Sequence, residues 1–125
     1  MCNTQSTILV VDDSTLSRKK VCLGLQDSYN IIQAKNGKEA LELIPKHKPQ
    51  FVFCDLLMPE MDGFEFLSHV SKQFPHIPCT IITADIQKET HDECKRLGAV
   101  SILKKPAKKE KLLEAIDLMT KAYSK

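Results

Sequence analysis

Five short runs rich in apolar and β-branched residues recur along the chain, each followed by a longer segment of helical character. The predicted strands are Ile8–Val11, Ile31–Ala34, Phe51–Cys54, Thr80–Thr83 and Val100–Leu103. The first and third runs are continuously apolar, which is typical of strands covered on both faces. This alternation predicts an α/β fold: a parallel sheet with right-handed crossovers and helices on both faces.

The segments between the runs differ in how clearly they are patterned as helices. Asn36 is the predicted N-cap of the second helix. Helical apolar stripes run through the second, third and fifth helices as Ala40, Leu41 and Ile44, then Phe66, Val70 and Phe74, then Leu112, Leu113, Ile116 and Met119. The first helix, about Ser14 to Gln26, is less cleanly patterned. The fourth, near Lys88 to Leu97, is mostly polar, and we expect it to be the most weakly held.

The length and hydropathy of the chain limit its organisation. With 125 residues it fits one domain with one core, so we predict a single domain over residues 1–125. No apolar run approaches the roughly 18 residues of a membrane span. Residues 1–7 are polar and lack the basic and apolar regions of a signal peptide, which predicts a cytoplasmic protein.

The cysteines, histidines and lysines do not point to a metal-thiolate site or a nucleic-acid interface. The five cysteines and four histidines lack metal-ligand spacing, which indicates buried or spare thiols and surface histidines. The net charge is +2, but five lysines crowd one stretch: Lys104, Lys105, Lys108, Lys109 and Lys111. No aromatic residue interleaves with these lysines, which favours a solvated helix face over nucleic-acid binding.

Polar residues follow the predicted strands at the edge where parallel sheets bind ligands, the carboxyl ends of the strands. In chain order they are Asp12 and Asp13, then Asp55, then Thr83 with Ala84 after it, then Lys105 with Pro106 after it. An Asp after a strand is often only the N-cap of the next helix. Agreement of three acids, a hydroxyl and a lysine on one edge favours a functional site.

This set of side chains suits phosphoryl chemistry. Three converging carboxylates repel one another unless a cation enters, and hard oxygen ligands suit Mg²⁺. A carboxylate beside the metal can act as nucleophile and form an aspartyl-phosphate, while an ammonium and a hydroxyl neutralise and orient the phosphoryl oxygens. The four glycines are too far apart for a P-loop or a dinucleotide fingerprint, and no G-x-S-x-G elbow is present.

Several stretches together resemble the receiver domains of two-component response regulators, in particular single-domain chemotaxis-type regulators. The most specific is Asp55-Leu-Leu-Met-Pro-Glu-Met-Asp-Gly63. The others are Ile8-Leu-Val-Val-Asp-Asp-Ser14, Asn36-Gly-Lys-Glu-Ala-Leu41, Ile82-Thr-Ala84, Leu97-Gly-Ala99 and Lys105-Pro106. They run through most of the chain in the order of the family. The resemblance implies a doubly wound, flavodoxin-like receiver fold of five parallel strands in the order 2-1-3-4-5.

The resemblance also implies roles for the residues at the carboxyl edge. Asp55 is the phosphoacceptor. Mg²⁺ is held directly by Asp13, Asp55 and the backbone carbonyl of Leu57, and through water by Asp12. The Leu57 side chain is expected at the mouth of the site.

A second group of residues is implied to stabilise the phosphoryl group and relay its presence. Thr83, with Ala84 after it, closes on the phosphoryl oxygens, Lys105 pairs with them, and the bond before Pro106 is cis. Ile102 occupies the position where many relatives carry a switching aromatic residue. The relay is therefore expected to run through the loop after Thr83 and the fourth helix.

These expectations favour a phosphorylation-switched binding module that is not a turnover enzyme. The predicted partners are a histidine kinase and a separate effector protein, which binds helix four, strand five and helix five. The last predicted helix ends near residue 125, so no output domain is expected to follow. We expect a monomer that binds neither nucleic acid nor membrane. The alternative is a phosphotransfer intermediate that passes the phosphoryl group between histidine proteins.

Overall fold

A computed structural model describes residues 6–58, 60–85 and 87–122 of the chain. Five strands and five helices alternate along these ranges. The strands are β1 (Thr7–Val11), β2 (Asn30–Ala34), β3 (Phe51–Asp55), β4 (Cys79–Thr83) and β5 (Ala99–Lys104). The helices are α1 (Thr15–Leu25), α2 (Gly37–His47), α3 (Gly63–Gln73), α4 (Lys88–Arg96) and α5 (Lys109–Ala122).

The strands form one parallel sheet in the order β2-β1-β3-β4-β5, which confirms the predicted topology. The β1–β3 register places Val11 opposite Cys54, so the residues that follow these two positions lie side by side. The predicted strand boundaries are correct to within one residue. Lys104, predicted to follow the fifth strand, is its last residue.

The starts of α1, α2 and α3 are specified by side chains that accept hydrogen bonds from the first turn. Asn36 accepts one from the Glu39 N–H at 2.7 Å, which confirms it as the N-cap of α2. Ser14 caps α1 and Asp62 caps α3 in the same way. Each satisfies a backbone donor that has no partner within its helix.

Apolar residues fill both faces of the sheet. One cluster lies beneath α2, α3 and α4 and includes Leu9, Cys54 and Phe66. The other lies beneath α1 and α5 and includes Phe53 and Leu112. Burial of both faces explains the continuous apolar runs of the inner strands.

One residue of the predicted core stripes faces solvent. Leu113 is 41% exposed. The buried residues of α5 are instead Leu112, Ala115, Ile116 and Met119, which follow a strict i, i+3, i+4, i+7 spacing. Leu113 lies to the side of that stripe, because each residue of a helix turns the chain by about 100°.

The fourth helix matches its polar sequence. Within α4, all of which the structure describes, only Cys94 is buried. By contrast, α3 buries four residues. Across the described ranges, no helix has the length and apolar character needed to cross a membrane.

The predicted thiols are buried and unpaired. Cys22, Cys54, Cys79 and Cys94 are free cysteines in the core, and Cys2 lies outside the described residues. Burial raises the pKa of each of these four thiols, which keeps them protonated and unreactive.

Candidate functional site

Three carboxylates converge at the carboxyl edge of the sheet, where β1 lies beside β3. Asp12 and Asp13 follow β1 directly, and Asp55 is the last residue of β3. One ligand oxygen from each lies within 4.8 Å of the others. Asp12 and Asp55 are buried and Asp13 is exposed, so the cluster opens to solvent on one side.

Lys105 joins the two buried carboxylates. Its Nζ lies 3.2 Å from Asp12 Oδ2 and 3.2 Å from Asp55 Oδ1. The backbone N–H of Lys105 donates to the Thr83 carbonyl at 2.8 Å, and its peptide bond to Pro106 is cis. Burial of the ammonium lowers the pKa of Lys105, but the charges of Asp55 and Asp12 outweigh that effect and the pKa is raised. The lysine therefore remains a cation at the site.

Asp55 holds its proton more tightly than an ordinary aspartate. Burial and the neighbouring Asp12 carboxylate raise the pKa of Asp55 to about 6, against opposing contributions from Lys105 and a backbone hydrogen bond from Leu56. Above that pH the carboxylate is charged and can act as a nucleophile. A second cation beside it would relieve the repulsion.

The donor set fits Mg²⁺. Three carboxylates within 4.8 Å of one another carry more negative charge than the single ammonium of Lys105 balances. Mg²⁺ prefers oxygen ligands and is usually held by one or two carboxylates together with water and phosphate oxygens. The open side at Asp13 leaves room for those additional oxygens.

Thr83 and Ala84 lie on the far side of Asp55, at the end of β4. Thr83 is only 1% exposed, and its hydroxyl accepts a hydrogen bond from the Asp85 N–H at 3.1 Å. Ala84 is exposed. The structure thus places the predicted hydroxyl at the same edge as the acids, engaged with the loop that leads to α4.

Leu57 and Ile102, the remaining predicted residues, differ in exposure. The Leu57 side chain is 73% exposed just after the acidic cluster. Ile102 pairs in register with Ile81 and is partly buried against the core beneath α4.

Two features near the site were missed by sequence reasoning. Arg18 donates to the backbone carbonyl of Asp12 at 2.6 Å. Asp85 accepts hydrogen bonds from the Gln87 N–H and the Thr90 hydroxyl at 2.9 and 2.7 Å. The position of Asp85, two residues before the N-cap of α4, is a signal that could have revealed its hydrogen bonds, whereas no local signal indicates the bond from Arg18.

Comparison with known proteins identifies a family. A model described as "Response regulator receiver domain" matches residues 8–117. A solved chemotaxis response regulator, CheY4 of Vibrio cholerae, is 34% identical with a TM-score of 0.85, covering 93% of this chain and 99% of that chain. A CheY-like receiver domain protein of Methanospirillum hungatei is 25% identical with a TM-score of 0.88, covering 96% and 97% of the two chains.

Curated relatives include much longer proteins. The positive alginate biosynthesis regulatory protein of Pseudomonas aeruginosa is 34% identical over 87% of this chain, which spans 45% of that protein. A probable cyclic di-GMP phosphodiesterase of Vibrio cholerae is 35% identical over 82% of this chain, which spans only 24% of it. An uncharacterised 14.6 kDa protein of Leptolyngbya boryana is 33% identical over 95% of this chain, which spans 93% of that protein. The chain therefore spans less than half the length of the Pseudomonas and Vibrio relatives and nearly the whole length of the Leptolyngbya relative.

Proposed function

Because the chain belongs to the response regulator receiver domain family, whose members act as phosphorylation-dependent switches in two-component systems, we propose that Asp55 is the residue that is phosphorylated. Asp55 would accept one phosphoryl group from a histidine kinase, and the protein would then change its affinity for a separate effector. The observation that carries this proposal is the meeting of Asp12, Asp13 and Asp55 within 4.8 Å, with Lys105 bridging two of them.

The reaction is a transfer of the phosphoryl group to an oxygen of Asp55. The new oxygen–phosphorus bond forms while the bond from phosphorus to the donor breaks, and its electron pair stays with the leaving group. Asp55 attacks as the carboxylate, which predominates above a pH of about 6. Its position at the end of a strand buried on both faces keeps the nucleophile in place.

The charges of the site would then be rearranged around the phosphoryl group. Mg²⁺, held by Asp13, Asp55 and the Leu57 carbonyl, with Asp12 acting through water, would neutralise charge on the transferring oxygens. Lys105, already within ion-pair distance of Asp55, would pair with another phosphoryl oxygen. The Thr83 hydroxyl would donate to a third.

The movement of Thr83 would carry the signal. Its hydroxyl accepts a hydrogen bond from the Asp85 N–H at 3.1 Å, so a displacement of the Thr83 side chain toward a phosphoryl oxygen would pull on that bond. The loop to α4 would then shift, and α4 buries only Cys94. We therefore place the effector surface on α4, β5 and α5. Capture of an effector that depends on phosphorylation would support this role, whereas transfer of the phosphoryl group to a second histidine protein would support a relay intermediate.

The test is the intact mass of the protein after incubation with acetyl phosphate, with and without Mg²⁺. We expect the mass of one added phosphoryl group only when Mg²⁺ is present, and none in Asp55→Asn. Glu60→Gln is a matched control, since Glu60 is an exposed acid on the same loop. Undiminished labelling of Asp55→Asn would contradict the assignment.

A further inference from the structure

The side chain of Arg18 connects the acidic segment after β1 to the neighbouring strand. Arg18 lies in α1 and is half-buried. Its Nη1 donates to the backbone carbonyl of Asp12 at 2.6 Å, and its Nε donates to Gln33 Oε1 at 3.0 Å. Gln33 belongs to β2, so the guanidinium is held in one plane between a helix and a strand.

The carbonyl that Arg18 binds belongs to the peptide joining Asp12 to Asp13. The other polar groups of Asp12 are held separately: its N–H donates to the Ala34 carbonyl at 3.0 Å, and its carboxylate accepts from the Ser14 N–H at 2.9 Å. The plane of the next peptide sets the direction in which the Asp13 side chain leaves the backbone. Arg18 therefore holds the peptide from which the Asp13 side chain leaves the backbone.

We infer that Arg18 is a positioning residue for the cation site, which it keeps assembled by holding the Asp12–Asp13 peptide. The inference rests on the proposed function, because it takes the cation to be Mg²⁺. Arg18 acts through the backbone and does not itself bind the metal or the phosphoryl group.

Electrostatics and positioning predict opposite changes in Mg²⁺ affinity when the Arg18 side chain is removed. A guanidinium close to a cation site repels the cation, so removing its charge alone would tighten Mg²⁺ binding. Loss of the hydrogen bond to the Asp12 carbonyl would instead release Asp13 and weaken binding. Groups that orient metal ligands commonly contribute about tenfold or more to affinity.

The experiment measures Mg²⁺ affinity by titration calorimetry on the unphosphorylated protein. Arg18→Met should weaken Mg²⁺ binding about tenfold. Lys19→Met, which removes an exposed cation from the same helix, should leave the affinity unchanged or slightly tighter. Gln33→Ala removes only the bond at Nε and should weaken binding by less than Arg18→Met does. Urea unfolding of each variant establishes that the fold is intact.

A double variant tests whether Arg18 acts through Asp13. In an Asp13→Asn background, Arg18→Met should change the Mg²⁺ affinity by less than about twofold, since the two substitutions remove the same ligand. An effect of equal size in both backgrounds would overturn the inference, as would wild-type or tighter affinity in Arg18→Met. If Arg18→Met does not fold, unchanged affinity in Gln33→Ala overturns it.

Failure of the inference is distinguishable from failure of the proposed function. If the wild-type protein does not bind Mg²⁺, the proposed metal site is wrong and the role of Arg18 is wrong with it. If the wild-type protein binds Mg²⁺ and Arg18→Met binds it equally well, only the positioning role is wrong.

Discussion

The segments that follow β3 and β4 are held in different ways. The segment after β3 packs closely against the end of that strand through its backbone, whereas the segment after β4 is held by side-chain hydrogen bonds. We refer to residues 56–73 as the α3 arm and residues 84–96 as the α4 arm. In the α3 arm, the Gly63 N–H donates to the Leu56 carbonyl at 2.7 Å. A Cβ at Gly63 would lie 2.8 Å from the Asp55 carbonyl oxygen, so this approach requires glycine. The helix that follows buries four residues, including Phe66.

The α4 arm is connected to the sheet by a chain of polar contacts. The Thr83 hydroxyl accepts from the Asp85 N–H, and the Asp85 carboxylate accepts from the Gln87 N–H and the Thr90 hydroxyl. Gln87, the N-cap of α4, makes no side-chain capping hydrogen bond. At its far end the arm is fixed by the Ser71 hydroxyl, which donates to the Leu97 carbonyl at 2.7 Å.

The difference assigns separate roles to the two arms. The α3 arm is packed against Asp55, the proposed nucleophile, because Gly63 lies directly against the backbone of Asp55 and Leu56. The α4 arm can change partners at its first residues while its last turn stays attached to α3. Segments with few buried apolar contacts open most easily, which makes the α4 arm the element that a modification can move.

The largest expected effect separates the two arms by core packing. Phe66→Ala in the α3 arm should lower the free energy of unfolding by about 3–5 kcal/mol, because it replaces a fully buried aromatic ring with a cavity. Cys94→Ala in the α4 arm removes a much smaller side chain and should cost about 1 kcal/mol. Urea unfolding of both variants measures the two values. Equal losses would show that the arms are equally anchored.

The carboxylate before the α3 arm and one within the α4 arm have pKa values shifted in opposite directions. At Asp55, the residue of β3 directly before the α3 arm, burial and the Asp12 carboxylate raise the pKa to about 6. Folded protein then binds more protons than unfolded chain between the ordinary pKa and about 6, so stability falls as pH rises through that window. Asp55→Asn should therefore raise the free energy of unfolding near neutral pH by about 2 kcal/mol, and the gain should vanish below a pH of about 4.

Asp85 in the α4 arm should behave in the opposite way. Hydrogen bonds from the Gln87 N–H and the Thr90 hydroxyl lower the pKa of Asp85. Its charged form therefore stabilises the fold above its ordinary pKa, and that contribution is lost as the pH falls. Asp85→Asn should destabilise the protein at neutral pH, measured by urea unfolding without Mg²⁺. If Asp55→Asn and Asp85→Asn changed the free energy of unfolding at neutral pH in the same direction, the contrast between the two carboxylates would be contradicted.

The smallest expected effect concerns the helix caps. Asp62 accepts from the Glu65 N–H at 2.9 Å, so Asp62→Ala should cost about 1 kcal/mol. Gln87→Ala should cost about 0.3 kcal/mol or less, because no capping bond is lost. Thermal unfolding of both variants resolves the difference. A Gln87→Ala loss as large as that of Asp62→Ala would mean that the start of α4 is held more firmly than its contacts indicate.

The sequence was sufficient for those features that follow from local patterns. The apolar runs predicted the strands to within one residue, and Asn36 before an apolar stripe predicted the start of α2. The convergence of Asp12, Asp13 and Asp55 followed from the shared carboxyl edge of parallel strands, since any such sheet brings strand ends together.

Contacts between distant segments were not predictable in the same way. The bond from Arg18 to the Asp12 carbonyl depends on how α1 crosses the sheet, and that on Gln33 depends on the β1–β2 register. The exposure of Leu113 depends on the rotation of α5 about its axis, which its neighbours in the core determine. Apolar spacing alone leaves such rotations open.

The central claim is that a phosphoryl group on Asp55 acts on the α4 arm and leaves the α3 arm in place. Hydrogen exchange with and without beryllofluoride, a phosphoryl mimic, tests it directly. The comparison is made within each variant, because Thr83→Ala already removes the acceptor for the Asp85 N–H. Thr83→Ser keeps the hydroxyl and is the matched control.

We predict protection changes within residues 84–98 of the wild-type protein and of Thr83→Ser, with residues 63–73 unchanged. In Thr83→Ala the same residues should show no change on addition of beryllofluoride, even though the mimic still binds Asp55. Changes of equal size in both arms, or an α4 response that persists in Thr83→Ala, would contradict the account.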